Sequence, residues 1–216
     1  MPIDLPEMPP AVAAALTAGL PRFAVAAAPP AEDVAAAMIA KPSITRSGRA
    51  MSRSIEAALD QGSAAGVGAP VVVMGLDELS KGRSPRQVKP RLWAQLLPAG
   101  ASGERALAEV DQRAGKLTSV SEGTEVKALA RRLDGLASAT TRSAARQELA
   151  LIRVPALHLT AVWLKAESAA DDIVIPNDGP IAPLVPGRRY TLAEFQAVVK
   201  AMAAERIAKT GDDTGG

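Results

Sequence analysis

The sequence predicts an α+β protein with a mixed or mainly antiparallel sheet packed by two amphipathic helices. Short runs rich in valine, isoleucine and leucine, typical of buried strands, recur between residues 70 and 175. Two segments, around Val126 and Phe195, repeat apolar residues at helical spacing and carry charges on their other faces. The N-terminal region is rich in alanine and interrupted by proline, which indicates short helices.

These patterns divide the 216 residues into three predicted regions. A helical, proline- and alanine-rich N-terminal arm covers 1–68, an α+β domain covers 69–210, and a disordered tail covers 211–216.

The arm is expected to contain three helices. The first should run from about Pro10 to Leu16 and stop at Gly19, and the second should begin at Pro30 and end before Pro42. The third carries Met51, Ile55, Ala58 and Leu59 on one face and is capped by Gly62. Because alanine buries little apolar area, we expect the arm to need a surface on which to lie.

Strands are predicted from apolar runs and from alternation along the chain. Residues 79–90 are polar, basic and broken by proline, which predicts a loop. A hairpin is expected from 106–111 and 116–120, with a helix over 104–114 as the alternative. The other predicted strands are 70–74, 91–97, 149–154, 156–164 and 173–175, with a bend or sheet edge at Pro155.

Two helices complete the predicted domain. The helix that carries Val126 should end at Gly135. The last helix has the clearest start signal in the chain, because Thr191 and Glu194 match a capping box. Tyr190 and Phe195 occupy the two positions of a hydrophobic staple beside it.

Composition excludes several classes of function. Aromatic residues make up 2% of the chain, too few for stacking platforms that bind single-stranded nucleic acid or flavins. There is no cysteine, which removes disulfides, thiolate nucleophiles and cysteine-ligated metals. A single histidine removes metal sites built from several histidines. We therefore predict no cofactor and no metal.

The cellular setting is predicted from what the N-terminus and the apolar runs contain. Asp4 and Glu7 stand where a signal peptide would carry positive charge, and prolines interrupt the apolar stretch. No run approaches the roughly 18 apolar residues of a membrane span. A cytoplasmic protein with no membrane partner is expected, and the alanine, glycine, proline and arginine bias suggests a bacterial source.

His158 is the single candidate for a catalytic residue. As a general base it would need a nucleophile and an orienting carboxylate from elsewhere in the chain. It lies in the predicted strand 156–164, which is apolar on both faces, so a core or half-buried histidine is the favoured interpretation. An enzyme with a pocket of scattered residues near His158 is the alternative.

Two basic segments are candidates for contact with phosphates or with an acidic partner. Neither contains intervening acidic residues, but the net charge of +2 is small and no helix that could read bases is recognisable. Nucleic acid is therefore the weaker interpretation. The candidate contact residues are Arg46, Arg49 and Arg53 in one segment, and Lys81, Arg83, Arg86, Lys89 and Arg91 in the other.

Three further patterns are assigned structural roles. The glycines at 62, 66 and 68 have the spacing of a nucleotide loop, but a helix precedes them and a strand follows, so a connector is favoured. The prolines at 180, 183 and 186 form a strap before the last helix. Asp171, Asp172 and Asp178 are interpreted as solvated turn residues, not as metal ligands.

The sequence does not specify a function, and a non-enzymatic protein-interaction or assembly component is the favoured interpretation. It rests on the missing catalytic motifs and on the arm, which should bind a protein partner or a second copy of the chain. Deleting residues 1–45 should then leave a folded domain that no longer associates. The alternatives are the enzyme at His158 and a weak nucleic-acid binder that uses segments 41–53 and 81–91.

Overall fold

The computed structural model describes residues 3–27, 53–62, 66–100, 103–138, 146–177 and 182–212. These residues form five helices and a mixed sheet of nine strands, which confirms the predicted α+β class. None of the described helices is both long enough and apolar enough to cross a membrane.

The helices are α1 (Pro10–Ala27), α2 (53–60), α3 (Leu76–Ser80), α4 (Thr124–Ser138) and α5 (Leu192–Asp212). The strands are β1 (Ile3–Asp4), β2 (Val67–Val73), β3 (Leu92–Leu96), β4 (Leu107–Asp111), β5 (Lys116–Ser121), β6 (Gln147–Val154), β7 (Leu159–Lys165), β8 (Ile173–Pro176) and β9 (Tyr190–Thr191).

Contacts group the chain into two compact units. The first unit comprises Met1–Pro6, Ala69–Arg91 and Asp134–Gly216, and the second comprises Glu7–Gly68 and Leu92–Leu133. The domain boundaries predicted at residues 68 and 210 stay a prediction. The predicted helix from Pro30 to Pro42 lies outside the described residues.

The second unit contains the antiparallel strands β3, β4 and β5. β4 and β5 form the predicted hairpin, so the helical alternative for 104–114 is wrong. The turn between them is held by Asp111, whose Oδ1 accepts hydrogen bonds of 2.9 Å from the backbone N–H groups of Arg113 and Ala114. This is the local side-chain bonding that makes aspartate a good turn residue.

Helix α1 is part of the core of the second unit, and the predicted stop at Gly19 is wrong. Val12, Leu16 and Leu20 are at most 1% exposed and pack with residues of β4 and β5. Gly19 permits this, because a Cβ there would lie 2.6 Å from the Leu117 Cβ. Burying each large apolar side chain is worth about 1.5–3 kcal/mol, which together outweighs the roughly 3 kcal/mol cost of Pro21 inside the helix.

The surface that α1 needs is therefore supplied by its own chain. This corrects the expectation that the first helix depends on a partner. It also corrects the expectation that residues 1–45 can be deleted without harm, since the deletion would remove Leu16 and Leu20 from a core.

The first unit is organised around β6. This strand lies parallel to β1 and β2 and antiparallel to β7, and β8 and β9 continue the sheet beyond β7. One face of these strands packs with α5, including Phe195 and Val199. Helix α3 contacts α5 within the same unit.

The predicted strand 156–164 begins later than expected. Proline at 155 cannot donate a ladder hydrogen bond, and Pro155–Leu157 forms a 3₁₀ turn that connects β6 to β7. His158 closes this turn in the left-handed conformation, with φ of 49°, and is exposed. The expectation of a core or half-buried histidine in a strand is wrong.

The capping box at the start of α5 is confirmed. The Thr191 backbone N–H donates to the Glu194 carboxylate at 2.8 Å, and the Glu194 N–H donates to the Thr191 hydroxyl at 3.2 Å. The staple residues Tyr190 and Phe195 are buried. Helix α5 extends to Asp212, into the predicted tail, and α4 continues past its predicted end at Gly135 to Ser138.

We expect Gly66→Ala to destabilise the protein more than Gly62→Ala. Both glycines have positive φ, but a Cβ at Gly62 would meet open space, whereas a Cβ at Gly66 would fall on the Leu96 carbonyl oxygen. Overpacking costs about 1–3 kcal/mol, so the difference between the two variants should be of that size. Urea unfolding followed by circular dichroism measures this difference in unfolding free energy. Equal losses in the two variants would contradict the close approach of Gly66 to the Leu96 carbonyl.

We expect the acid sensitivity of the protein to depend partly on Glu194. The hydrogen bond from the Thr191 backbone lowers the pKa of Glu194 below its ordinary 4.5. The cap therefore contributes stability above that value and loses it as the pH falls through the lowered pKa. Between about pH 6 and pH 3, Glu194→Gln should lose less unfolding free energy than the wild type. Urea unfolding at each pH measures the unfolding free energy of both proteins. An equal loss in the wild type and in the variant would refute this.

Candidate binding groove

A groove of about 330 Å³ lies within the first unit. One wall is the segment 85–90, and the remainder comes from β2, β6 and β7. Its apolar lining consists of Pro70, Val72, Pro85, Val88, Pro90, Ala150 and Trp163. Its polar lining consists of Arg86, Gln87, Lys89, Glu148 and Lys165.

The strand residues of the groove come together through sheet register. Glu148 pairs with Lys165, and Ala150 pairs with Trp163, across the antiparallel strands β6 and β7. Residues two apart along a strand point to the same face, so this face presents a charged pair followed by an apolar pair. The groove thus forms at the open end of the β6–β7 hairpin, away from the turn that carries His158.

The wall segment 85–90 is ordered by its own local structure, and not only by its contacts. The predicted loop 79–90 contains the end of α3 and a 3₁₀ turn, Pro85–Gln87. Ser84 caps this turn, since its hydroxyl accepts from the Arg86 N–H at 3.4 Å and its own N–H donates to the Gln87 side chain at 3.2 Å. The predicted loop is confirmed from residue 81 to residue 90, and the capped 3₁₀ turn gives this loop a defined local structure.

Asp172 anchors the wall to the sheet. Its side chain is 0% exposed. Oδ2 accepts from Arg86 Nε at 2.8 Å and from Trp163 Nε1 at 3.0 Å. Oδ1 accepts from Arg86 Nη2 at 2.6 Å and from the Ala166 backbone N–H at 2.8 Å. The carboxylate is therefore fully hydrogen-bonded, and the paired guanidinium contact fixes the orientation of Arg86 as well as its position.

The network also favours the charged form of Arg86. Hydrogen bonding to Asp172 raises the pKa of the Arg86 guanidinium, and the charge of the carboxylate acts in the same direction against desolvation. Arg86 also donates to the Ala166 carbonyl oxygen. The interpretation of Asp172 as a solvated turn residue is wrong, whereas Asp171 is exposed as expected. Asp178 lies outside the described residues.

The other cations near the groove are solvent-exposed. Lys89 lines the groove and has no ion-pair partner among the described residues. Lys165 reaches Glu148 at 3.4 Å, with both side chains more than a third exposed. Such exposed pairs contribute little stability, so Lys165 remains available to a partner, as Lys89 does. Since Arg86 is paired with Asp172 and Lys165 with Glu148, the positive charge in excess at the groove is that of Lys89.

The remaining candidate contact residues are distributed differently. Lys81 and Arg91 are exposed, and Arg83 is paired with Glu78 at 2.6 Å. Arg53 is exposed in the second unit. Arg46 and Arg49 lie outside the described residues. The structure thus assigns Arg86 and Lys89 to the groove and leaves Arg53 in a different compact unit.

His158 does not line the groove, although the enzyme interpretation depended on it. It lies in the exposed turn at the closed end of the β6–β7 hairpin. Within the described ranges, no three or more side chains of histidine, cysteine, aspartate or glutamate are arranged to hold a metal ion.

Sequence reasoning missed the residues that shape the groove. Asp172 and Arg86 are 86 positions apart, and no pattern in the chain links them. Strand alternation places Trp163 on one face of β7, but only the register to β6 and the position of segment 85–90 make that face a groove wall.

Comparison with known proteins identifies no relative: no protein-family model, no curated protein and no solved structure matches the chain.

We expect Asp172→Asn to destabilise the first unit by about 3 kcal/mol, because it leaves the Arg86 guanidinium without its buried counter-charge. Lys209→Gln is the matched control, since it removes an exposed ion pair with Glu205 from helix α5 of the same unit and should cost only a small fraction of that amount. Urea unfolding measures both. Similar small losses would show that Asp172 does not anchor the wall.

Proposed function

We propose that this protein is a non-enzymatic interaction component that binds an acidic partner protein through the groove and the cations around it. The observation that supports this most is a preformed groove with the exposed cation Lys89 in its lining, whose wall is held by the saturated Asp172 network. A site that needs no rearrangement on binding loses less entropy when the partner arrives.

Charge favours an acidic partner. Lys89 lines the groove, is exposed and has no ion-pair partner among the described residues. Lys165 is held only by an exposed pair with Glu148. Opposite charge on a partner would steer it to this surface and would add modestly to affinity.

The chemistry of the groove favours binding over catalysis. A general acid or base must be available to exchange a proton with a bound substrate. The buried carboxylate of Asp172 is occupied by four hydrogen bonds, and Glu148 is a solvated carboxylate beside Lys165. Both arrangements are suited to holding structure or a charged partner.

Association through the arm 1–68, the mode expected from the sequence, receives no support from its first helix, because α1 packs within its own unit. A cytoplasmic, bacterial setting remains an expectation from composition.

We expect the full-length protein to bind fluorescein-labelled poly-L-glutamate in anisotropy titrations. Replacing both Lys89 and Lys165, the two lysines that line the groove, by glutamine should weaken binding about three- to tenfold, since each exposed charge pair is worth up to about 1 kcal/mol. Lys116→Gln is the matched control, because Lys116 is an exposed cation of the second unit. Raising the salt from about 0.05 to 0.5 M should also weaken binding.

Two results would contradict the proposal. One is an affinity that neither the double replacement nor salt changes. The other is tighter binding to duplex DNA of equal charge, since that would favour the nucleic-acid alternative.

A further inference from the structure

The largest apolar residues of the groove lining are already used by the core. Val72, Ala150 and Trp163 are at most 4% exposed and belong to the cluster that contains Phe195. What an occupant can bind is therefore decided by the polar groups of the lining, which come from Arg86, Gln87, Lys89, Glu148 and Lys165.

Part of the Arg86 guanidinium is left open to solvent. Nε donates to Asp172, and Nη2 donates to Asp172 and to the Ala166 carbonyl oxygen. A guanidinium carries five N–H donors in a rigid fork, so the two donors of Nη1 remain. No described residue accepts a hydrogen bond from Nη1, and Nη1 is not buried, since the Arg86 side chain is 24% exposed. Nη1 is therefore a donor that is fixed in position and available to an occupant.

Two further donor groups of the same segment lack an acceptor among the described residues. The side-chain oxygen of Gln87 accepts from the Ser84 backbone N–H, which leaves the amide N–H groups of Gln87. The ammonium of Lys89 is exposed and has no ion-pair partner in the described part of the chain. Segment 86–89 thus lines the groove with three groups that can only donate, namely Arg86 Nη1, Gln87 Nε2 and Lys89 Nζ.

Donor groups of this kind are matched by a group that only accepts. An ionised carboxylate has two oxygens with about four lone-pair sites and no donor. Its hydrogen bonds to a guanidinium are short and strong, because both groups are charged. Since Asp172 already orients Arg86, the protein loses little entropy when a carboxylate binds.

The charge of the groove favours a carboxylate over a phosphate. Arg86 is paired with Asp172 and Lys165 with Glu148, so the charge in excess is the single charge of Lys89. A carboxylate balances this charge. A phosphate monoester carries about −1.5 to −2 charges at pH 7 and would leave negative charge beside Glu148.

We infer that the groove binds one carboxylate of the acidic partner, which accepts hydrogen bonds from Arg86 Nη1 beside the ammonium of Lys89. The carboxylate comes from the side chain of a glutamate or aspartate, or from the C-terminus of the partner. This inference rests on the proposed function and names the group that the groove recognises.

The binding of a carboxylate is read from the two tryptophans of the ¹⁵N-labelled full chain. The indole N–H of Trp163 donates to the same Asp172 oxygen as Arg86 Nε, so its resonance responds to a ligand on Arg86. Trp93 lies in the second unit and serves as the internal reference. Sodium acetate is titrated against sodium chloride at constant ionic strength. We expect acetate to shift the Trp163 resonance saturably, to leave Trp93 unchanged and to bind about tenfold more tightly than chloride, because its oxygens form directional hydrogen bonds with the fixed donors.

Three nonapeptides of glycine and serine identify the source of the carboxylate. The first has blocked ends and a central glutamate, the second has glutamine in its place, and the third has no acidic residue but a free C-terminus. A Trp163 shift with the first peptide assigns a side-chain carboxylate, and a shift with the third assigns a chain terminus. The second peptide should leave the Trp163 resonance unchanged.

A protein variant adds an independent check that keeps the Asp172 anchor intact. Glu148→Gln removes a negative charge from the lining and the exposed partner of Lys165, so it should bind acetate about threefold more tightly than the wild type. Glu205→Gln is the matched control, because it removes an exposed carboxylate, also paired with a lysine, from the same unit outside the groove. Its affinity for acetate should equal that of the wild type. Equal gains in the two variants would show diffuse attraction by net charge and would overturn the inference.

The outcomes separate this inference from the proposed function. Equal affinity for acetate and chloride, an unshifted Trp163 resonance, or no shift with either carboxylate peptide would overturn the inference. Tighter binding of inorganic phosphate than of acetate would also overturn it. In each of these cases, binding of poly-L-glutamate would leave the acidic partner standing. If acetate binds and poly-L-glutamate does not, the carboxylate site stands and the proposed function fails.

Discussion

The carboxylate of Asp172 is the group on which the groove of the first unit depends. A buried charge is costly unless it is paired and fully hydrogen-bonded. Asp172 meets this condition with donors from Arg86 and from two residues near the end of β7, Trp163 and Ala166. Stability alone does not require such a cluster, because apolar residues of similar volume in place of a buried ion pair often make a protein equally stable. Its distinctive effect is geometric, since it holds the wall against Trp163 in one orientation.

The same cluster explains why two candidate residues with similar chemistry have different roles. Arg86 and Lys89 are cations three positions apart in one segment. The planar guanidinium of Arg86 matches a carboxylate with two parallel hydrogen bonds, so it is used inside the protein. Lys89 has no such partner among the described residues and faces solvent. One cation therefore builds the groove, and the other is available to a partner.

Candidate residues were predictable only where chemistry follows from local sequence. The basic character of segment 81–91 was visible, and so was the capping box at Thr191 and Glu194. The role of Asp172 was not visible, because an aspartate beside a predicted strand usually occupies a solvated turn. His158 was misplaced for a related reason: apolar neighbours suggested a strand, but Pro155 introduced a turn that exposes the residue.

The sequence by itself determined the α+β class, the β4–β5 hairpin and the start of α5, because these depend on periodicity and on side chains that bond to nearby backbone. Only the tertiary structure decided that α1 belongs to a core, since alanine and glycine become good packing residues only when a sheet approaches closely. It also decided the groove. The ion pair and the strand register that form it join residues distant in sequence, and local preferences carry no information about such contacts.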